Sequence, residues 1–377
     1  MKFILIPDSF KGTLSSSQIC AVMDEKIKKH FPDSLTVSIP VADGGEGSVD
    51  AFITAVGGVK EYVTVKNPYF EDMESYFGLI DAGQTAVIEM ASCAGLPLVE
   101  DRKDPRLTTT YGVGQLILAA ARKGVKKIIV GLGGSSTNDG GCGAAAALGA
   151  VFRNAAGEAF VPVGATLAEV AEIDLSGLHP ALASAELVTM CDIDNPLCGP
   201  LGAAHVFAPQ KGADPAMVEL LDAGLAHLAD VVERCTGRDI RQLHGAGAAG
   251  GMGGGMVAFF GSTLQMGIET VLDTVGFDKL LEGADMVFSG EGKLDAQSLL
   301  GKVVIGVARR AKRAGVPLVA VVGDIGDNIE AAYDMGVSAV FSINRVAVPF
   351  REAKPRSKSD LALTMDNLMR FCRRMGW

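Results

Sequence analysis

The sequence of 377 residues contains no apolar run that approaches the roughly 20 residues needed to span a membrane. Its opening apolar stretch, Phe3 to Ile6, is stopped by Pro7 and Asp8. That stretch is too short to be the core of a secretory signal. We therefore expect a cytoplasmic protein with no membrane partner.

Cysteine, positive charge and the common nucleotide-binding motifs are also scarce. The seven cysteines are odd in number and scattered without zinc-ligand spacing, so reduced, buried thiols are expected. Lys and Arg total 34 against 44 Asp and Glu, and this net charge of −10 argues against a nucleic-acid partner. Gly301 and Lys302 are followed by Val303, so they do not form a P-loop.

A second glycine pattern also fails as a nucleotide signature. The run 245–250 spells Gly-x-Gly-x-x-Gly, but polar residues precede it where a dinucleotide fingerprint needs a buried strand. Close packing of the backbone, or its approach to a ligand, is the favoured interpretation of this glycine-rich segment.

The most distinctive stretch that is present is the glycine-rich turn, residues 131–143. The β-forming run 127–130 precedes it and the alanine-rich run 144–149 follows, which predicts a strand, a turn and a helix. Such a turn directs backbone N–H groups and a helix N-terminus at one point. Two interpretations stay open, a pocket for phosphate or carboxylate oxygens and a simple tight turn with a helix cap, and the polar run 135–139 favours the first.

The order of predicted elements indicates an α/β fold with two domains. A length of 377 residues exceeds one ordinary core. Both terminal segments show a βαβ pattern, including a helix predicted over 297–312, whereas the middle begins with short strands joined by turns. We predict a Rossmann-like parallel-sheet domain formed by both termini, 1–62 with 284–377, and a mixed α/β domain inserted at 63–283.

Polar residues gather at four corners, each directly after a predicted strand. A helix cap or turn would explain any one corner alone. Four together predict a shared cleft, because ligands of open α/β sheets bind at the carboxyl ends of strands. Carboxylates with lysines and backbone donors suit phosphoryl transfer with Mg²⁺. The corners hold Asp8, Ser9 and Lys11; Asp43 and Glu46; Asp192, Asp194 and Asn195; and Glu291, Lys293, Asp295 and Ser298.

These corners, taken in order, resemble the motifs of the glycerate kinase family, bacterial type 1 class. The matching segments span nearly the whole chain, and their order is more specific than any one of them. They include Pro-Asp-Ser-Phe-Lys-Gly (7–12), Pro-Val-Ala-Asp-Gly-Gly-Glu-Gly (40–47), Ile-Glu-Met-Ala (88–91), Thr-Thr-Tyr-Gly (109–112), Gly-Gly-Ser-Ser-Thr-Asn-Asp-Gly-Gly (133–141), Pro-Gln-Lys-Gly-Ala (209–213) and Gly-Glu-Gly-Lys-Leu-Asp-Ala-Gln-Ser (290–298).

The resemblance implies ATP-dependent phosphorylation of D-glycerate with Mg²⁺, usually to 2-phosphoglycerate, in glyoxylate and sugar-acid breakdown. It also implies two α/β domains with the active site in the cleft between them. Lys293 stands where the family usually has arginine, so the charge is kept but a bidentate grip is lost. The oligomeric state stays open.

Roles follow for the candidate residues as hypotheses. Asp192 is the first candidate for the base at the glycerate hydroxyl and Asp295 the second, while Lys11 offsets charge in catalysis. Asp43 and Glu46 are the candidate Mg²⁺ ligands, and both are expected on the side of the cleft formed by the termini. The predicted substrate- or phosphate-binding residues are Asp8, Ser9, Ser136, Asn138, Asp139, Lys211, Glu291, Lys293 and Ser298.

The sequence leaves alternatives of other kinds open. The enzyme could phosphorylate the 3-hydroxyl of glycerate or act on another small hydroxy acid. A protein of another class, a sensor that binds a sugar acid without turnover, would need donors but no set of metal-holding carboxylates. A dehydrogenase ranks third, because its glycine motif is misplaced.

Overall fold

A computed structural model of the chain describes residues 1–41 and 44–377. Within these ranges the strands, in chain order, are β1 Lys2–Pro7, β2 Leu35–Ser38, β3 Val59–Lys66, β4 Asp72–Ile80, β5 Thr85–Glu89, β6 Lys127–Gly131, β7 Val151–Arg153, β8 Ala159–Phe160, β9 Glu172–Asp174, β10 Glu186–Met190, β11 Thr263–Gln265, β12 Met286–Gly290, β13 Lys293–Leu294, β14 Leu318–Val322, β15 Asp324–Ile325 and β16 Val337–Ser342.

The α-helices of the same ranges connect these strands. In chain order they are α1 Ser16–His30, α2 Ser48–Val56, α3 Ala91–Ala94, α4 Tyr111–Arg122, α5 Cys142–Ala147, α6 Ala203–Phe207, α7 Pro215–Thr236, α8 Ala248–Phe260, α9 Gly267–Thr274, α10 Phe277–Leu281, α11 Val303–Arg313, α12 Ala331–Asp334, α13 Phe350–Ala353 and α14 Ser357–Arg374. None of these helices is long and apolar enough to cross a bilayer.

The chain divides into two compact units, and of the described residues unit 1 comprises 1–41, 54–56 and 268–377. Its five-stranded sheet has the order β16-β14-β12-β1-β2, and every neighbouring pair is parallel. The strands β12 and β14 are buried along their whole length, as expected for strands of a parallel sheet covered on both faces. The parallel sheet built from both ends of the chain confirms the α/β prediction for this part.

Unit 2 comprises the described residues 44–53 and 57–267. Its six-stranded sheet has the order β11-β10-β6-β5-β4-β3, with β4 antiparallel to both β3 and β5. The remaining pairs are parallel. The mixed sheet confirms the predicted second α/β architecture, while the domain limits 1–62, 63–283 and 284–377 stay a prediction.

One predicted helix is wrong in its extent. The sequence predicts a single helix over 297–312, but the structure has a short 3₁₀ turn, Ser298–Leu300, followed by α11 from Val303. Gly301 separates them with φ of 108°, a conformation that ends a right-handed helix. The break keeps the polar residues before Gly301 in a turn.

Arg310 of α11 forms ion pairs with three carboxylates of the neighbouring helices α9 and α10. Its Nε lies 3.1 Å from Glu269 Oε2, and its amino nitrogens lie 2.6 Å from Asp273 Oδ1 and 3.3 Å from Asp278 Oδ2. The Arg310 side chain is only 9% exposed, whereas the three acids are 34–68% exposed. Solvent therefore screens the acids but hardly reaches the cation between them.

Arg310→Ala is expected to lower the free energy of unfolding by about 1–3 kcal/mol. This loss is smaller than that for breaking a fully buried ion pair, because the three acids are partly exposed to solvent. Three carboxylates would be left close together without a cation. Urea unfolding measures the change. The matched control is Arg309→Ala on the exposed face of the same helix, for which we expect a change within about 0.5 kcal/mol. Equal effects of the two substitutions would contradict this account.

Candidate active site

Two glycine-rich corners of the sequence meet inside unit 2. The Gly133 N–H donates to Gly44 O at 3.0 Å, and a Cβ at Gly131 would lie 2.3 Å from the same oxygen. The contact requires glycine, because any side chain would collide with backbone atoms. The structure thus places the exposed Glu46 in the unit that holds the glycine-rich turn, and not with the two termini as expected. Its predicted companion Asp43 lies outside the described residues.

Asp139 is fully buried and holds the glycine-rich turn in place. Its Oδ2 accepts from Thr110 N at 2.7 Å, Thr110 Oγ1 at 2.8 Å and Gly143 N at 3.2 Å, while Oδ1 accepts from Gly141 N at 3.1 Å. These donors belong to the starts of α4 and α5, where a negative charge is favourable. Burial raises the pKa of Asp139, against the opposing effect of these hydrogen bonds. With its oxygens so engaged, Asp139 positions the turn and balances charge.

Lys211 supplies a buried cation beside the same turn. A turn before a helix suggests a surface lysine, yet this side chain is only 1% exposed. Its Nζ donates to Ser135 Oγ at 2.9 Å and to Thr137 O at 2.7 Å. Desolvation lowers the pKa of Lys211 to about 7, although the charge of Asp139 opposes this. An ammonium has three donors, and an anion near Lys211 would restore its full charge.

Asn138 is the clearest sign that this turn binds something. Both side-chain polar atoms of Asn138 and the hydroxyl of Thr137 are buried without a hydrogen-bond partner within residues 1–41 and 44–377. Leaving such groups unsatisfied costs about 1–3 kcal/mol each. Two neighbouring side chains with unsatisfied polar atoms, beside a buried cation, are typical of a site that an oxygen-rich ligand completes. Ser136, in contrast, uses its hydroxyl within the fold, donating to Ala94 O at 2.9 Å.

The glycine-rich segment 245–255 packs closely against the backbone of this turn. The Gly140 N–H donates to Gly250 O at 3.0 Å. A Cβ at Gly250 would lie 2.0 Å from Thr137 O, and one at Gly255 would lie 2.2 Å from Gly140 O. The close-packing interpretation of the Gly-x-Gly-x-x-Gly pattern is therefore confirmed.

Adjacent glycines of α8 provide a matched test of this packing. Gly255→Ala should destabilise the protein by about 1–3 kcal/mol, because the added methyl collides with the backbone of the turn. Gly254→Ala places its methyl 3.3 Å from Ile240 Cδ1, a side chain that can move, so its helix-propensity gain of up to about 1 kcal/mol offsets the crowding. Thermal unfolding measures both, and a loss at residue 254 as large as that at 255 would refute the assignment.

Asp192 lies after β10, at the corner where the sequence predicts a base. Its carboxylate is exposed, and Oδ1 accepts from Gly267 N at 2.6 Å. That bond fixes the direction of the carboxylate. The neighbouring Asn195 serves the fold, since its amide donates to Leu201 O at 2.8 Å.

In unit 1, Glu291 is the most unusual residue of the predicted set. It is 6% exposed, and its Oε1 is buried without a partner in the described part of the chain. Burial raises the pKa of Glu291 to about 7; nearby Asp8 and Asp295 raise it further, while the Ser298 hydroxyl and Lys302 lower it. A buried carboxyl among other acids at a strand end is poised to receive a cation or a donor.

The other predicted residues of unit 1 lie in the segments that follow β1 and β12, as Glu291 does. Asp8 follows β1, and its Oδ1 accepts from Ser9 N at 2.6 Å. Ser298 is occupied within its turn, because its hydroxyl accepts from Asp295 N and donates to Lys293 O. The side chains of Lys11 and Lys293 are exposed. Ser298 thus shapes the corner, whereas the two lysines leave their charge available to an anion.

Two functional positions received no role from the sequence. Thr110 donates from both its backbone and its hydroxyl to Asp139. Glu89 is buried and accepts from Tyr76 Oη at 2.5 Å and from Val49 N at 3.2 Å, which ties the end of β5 to the start of α2. Both residues fall within segments that carry the family resemblance, and that was their only signal.

Proteins of one family match nearly the whole length of this chain. The model of the glycerate kinase family matches residues 3–373. A Haemophilus influenzae glycerate kinase is 42% identical over 98% of each chain, and the Escherichia coli glycerate 2-kinase is 42% identical over 91% of this chain and 90% of its own. A crystal structure of a Salmonella typhimurium LT2 protein assigned as glycerate kinase 2 superposes with a TM-score of 0.88 at 38% identity, covering 99% of this chain and 98% of that one.

Proposed function

Because the chain belongs to the glycerate kinase family, we propose that it transfers the γ-phosphoryl group of ATP to D-glycerate. The acceptor is the 2-hydroxyl, and the products are 2-phosphoglycerate and ADP. The observation that carries the proposal is the buried Lys211 cation beside the side chains of Thr137 and Asn138, which find no hydrogen-bond partner in the described part of the chain. These groups match a small acid that carries both a carboxylate and hydroxyls.

The glycine-rich turn binds glycerate in this proposal. The third N–H of Lys211 and the amide of Asn138 bind the carboxylate and a hydroxyl, and the Thr137 hydroxyl takes a further oxygen. Asp139 holds the turn rigid from behind, so that its donors are aligned before the substrate arrives. Fixed donors of this kind stabilise developing charge without reorganisation during the reaction.

Asp192 then acts as the base. As the 2-hydroxyl oxygen attacks the γ-phosphorus, its proton passes to the Asp192 carboxylate, the bond to the bridging oxygen breaks and ADP leaves. Asp295 remains the second candidate, because its Oδ1 is held by Gln297 N at 3.0 Å in the same way. Lys11, with Lys293, offsets the charge on the phosphates.

Mg²⁺ completes the proposal as an ion carried largely by the nucleotide. Within residues 1–41 and 44–377, no group of three or more His, Cys, Asp or Glu side chains could hold a metal ion. Mg²⁺ in kinases commonly keeps several waters and binds one or two carboxylates together with the phosphates. The unsatisfied Glu291 oxygen near Asp8 and Asp295 fits such a cation, and Glu46 with Asp43 remains the alternative pair. The ion would neutralise phosphate charge.

The test is ADP release from ATP, Mg²⁺ and D-glycerate, followed by NMR of the product. We expect ADP and 2-phosphoglycerate. Formation of the 3-phosphate would keep the kinase and refute the position of transfer. Turnover of another hydroxy acid in preference to glycerate would refute the substrate. Binding of glycerate without release of ADP would favour a sensor and reject the enzyme.

A further inference from the structure

Unit 1 contains a cavity of about 390 Å³, and apart from Lys11 and Lys293 its lining has no role in the proposed reaction. Its lining comes from segments that directly follow β1, β12, β14 and β16, and from the region of α13 and α14. It therefore opens at the carboxyl edge of a parallel sheet, where α/β proteins bind ligands. Its volume lies within the roughly 300–1,000 Å³ of small-molecule sites.

The cavity is apolar at one part of its wall and positively charged at another. Phe10, Ile343, Val348 and Phe350 provide the apolar surface. Lys11 and Lys293 provide two positive charges, against the one carboxylate of Asp324. Asp360, also in the lining, is already neutralised by Arg345 and Arg356. A ligand that combines a flat apolar ring with anionic groups matches this division.

Phe350 is a large apolar side chain that the fold leaves 65% exposed at this cavity. A ring stacked on it would cover it, since aromatic side chains gain from offset stacking. Asn344, another lining residue, is exposed, and its amide makes no hydrogen bond among the described residues. An amide offers a donor and an acceptor side by side, as the edge of a purine base requires.

Glycerate does not fit these features. A three-carbon acid would leave most of the volume empty and has no ring to cover Phe350. The groups suited to glycerate lie at the glycine-rich turn of unit 2, where Lys211 and Asn138 are buried.

We propose that this cavity binds the adenosine part of ATP, with Lys11 and Lys293 at the end where the phosphates leave it. The inference rests on the proposed kinase function and adds the nucleotide subsite to it.

Calorimetric titration of the full-length protein with ADP, in the absence of glycerate, tests the subsite. Ala353→Phe places a ring on a partly buried lining residue and should weaken ADP binding by about ten- to a hundredfold. The milder Asn344→Ala should weaken it by about fivefold, the loss of one or two hydrogen bonds. Ala331→Phe, on an exposed residue of α12 outside the lining, is the matched control and should leave ADP affinity unchanged.

Tripolyphosphate separates the nucleoside from the phosphates as the source of binding. Ala353→Phe should leave tripolyphosphate affinity at the wild-type value, because only the adenosine region is filled. Folded Ala353→Phe and Asn344→Ala variants that bind ADP as tightly as wild type would overturn the subsite. A rise in KM for glycerate in these variants, with no change in KM for ATP, would also overturn the subsite, because it would assign the cavity to glycerate.

The subsite and the kinase function can fail separately. Wild-type protein that forms 2-phosphoglycerate while both variants keep their ADP affinity would reject the cavity alone. Protein that binds ADP in a manner sensitive to Ala353→Phe, yet never phosphorylates glycerate, would reject the reaction and keep the cavity as a nucleotide site. Wild-type protein that binds no ADP would reject the subsite.

Discussion

Replacing Asp192 with asparagine is expected to lower kcat by about 10²–10⁴-fold, the range for removal of a general base. Asparagine keeps the size of the side chain and an oxygen to accept from Gly267 N, so the corner after β10 should be preserved. What it loses is the ability to take the hydroxyl proton. Steady-state rates of ADP formation measure the change, and KM for ATP should stay close to the wild-type value.

Asp194→Asn is the matched control for this substitution. Asp194 lies two residues further along, its side chain is 82% exposed, and its nearest charged partner, His244, is 3.9 Å away. We expect wild-type turnover for it. Wild-type turnover in Asp192→Asn, with unchanged Mg²⁺ dependence, would reject Asp192 as the base, and Asp295→Asn would then be the variant to measure.

Replacing Lys211 with methionine is expected to lower kcat/KM for glycerate by about 10²–10³-fold while leaving the fold intact. The side chain is buried, so methionine of similar length fills its space, and the cost of desolvating an ammonium disappears. The melting temperature should therefore not fall in proportion to activity. Lys126→Met, at an exposed position of the same unit, should change neither quantity. Unfolded Lys211→Met protein would show instead that the lysine serves stability.

The pH dependence of glycerate binding gives a second test of Lys211. Its pKa of about 7 means that the free enzyme loses this positive charge as the pH rises above neutrality. Only the protonated amine attracts the carboxylate, so KM for glycerate should be flat below about pH 7 and increase tenfold per pH unit well above it. In Lys211→Met this rise should be absent. A rise that persists there would assign the titration to another group, such as Glu291.

The strands could be predicted from the sequence far better than the turns that connect them to the helices. Continuous apolar runs such as 318–322 have one stable place in an α/β protein, inside a parallel sheet, so composition alone predicts them. The single helix expected over 297–312 was wrong because Gly301 takes a left-handed conformation, and periodicity does not detect the φ of one residue. The corner at Glu46 was expected in the wrong unit, since its backbone contacts with Gly131 and Gly133 depend on tertiary packing.

Site residues divide in the same way. The polar side chains of the run 135–139 predicted an anion pocket. Only the structure shows which of these side chains are used within the fold and which are left for a ligand. Asp139 is saturated by hydrogen bonds, whereas the Asn138 side chain makes none among the described residues. Nor does local sequence reveal that Lys211 is buried, because a Gln-Lys-Gly turn is ordinarily a surface feature. Burial is a property of the assembled fold.

The position of β1 in the sheet has a consequence for synthesis of the chain. β1 lies between β2 and β12 and pairs with β12 from Phe3 opposite Met286. The hydrogen bond from Lys2 N to Asp285 spans 283 positions. At ribosomal rates this interval lasts roughly 15–60 s, during which the apolar strand Phe3 to Ile6 is made but has no partner on one side. Unit 2 is complete in the nascent chain before β12 exists, so we expect it to fold first, while the early strands depend on chaperones until the last third of the protein emerges.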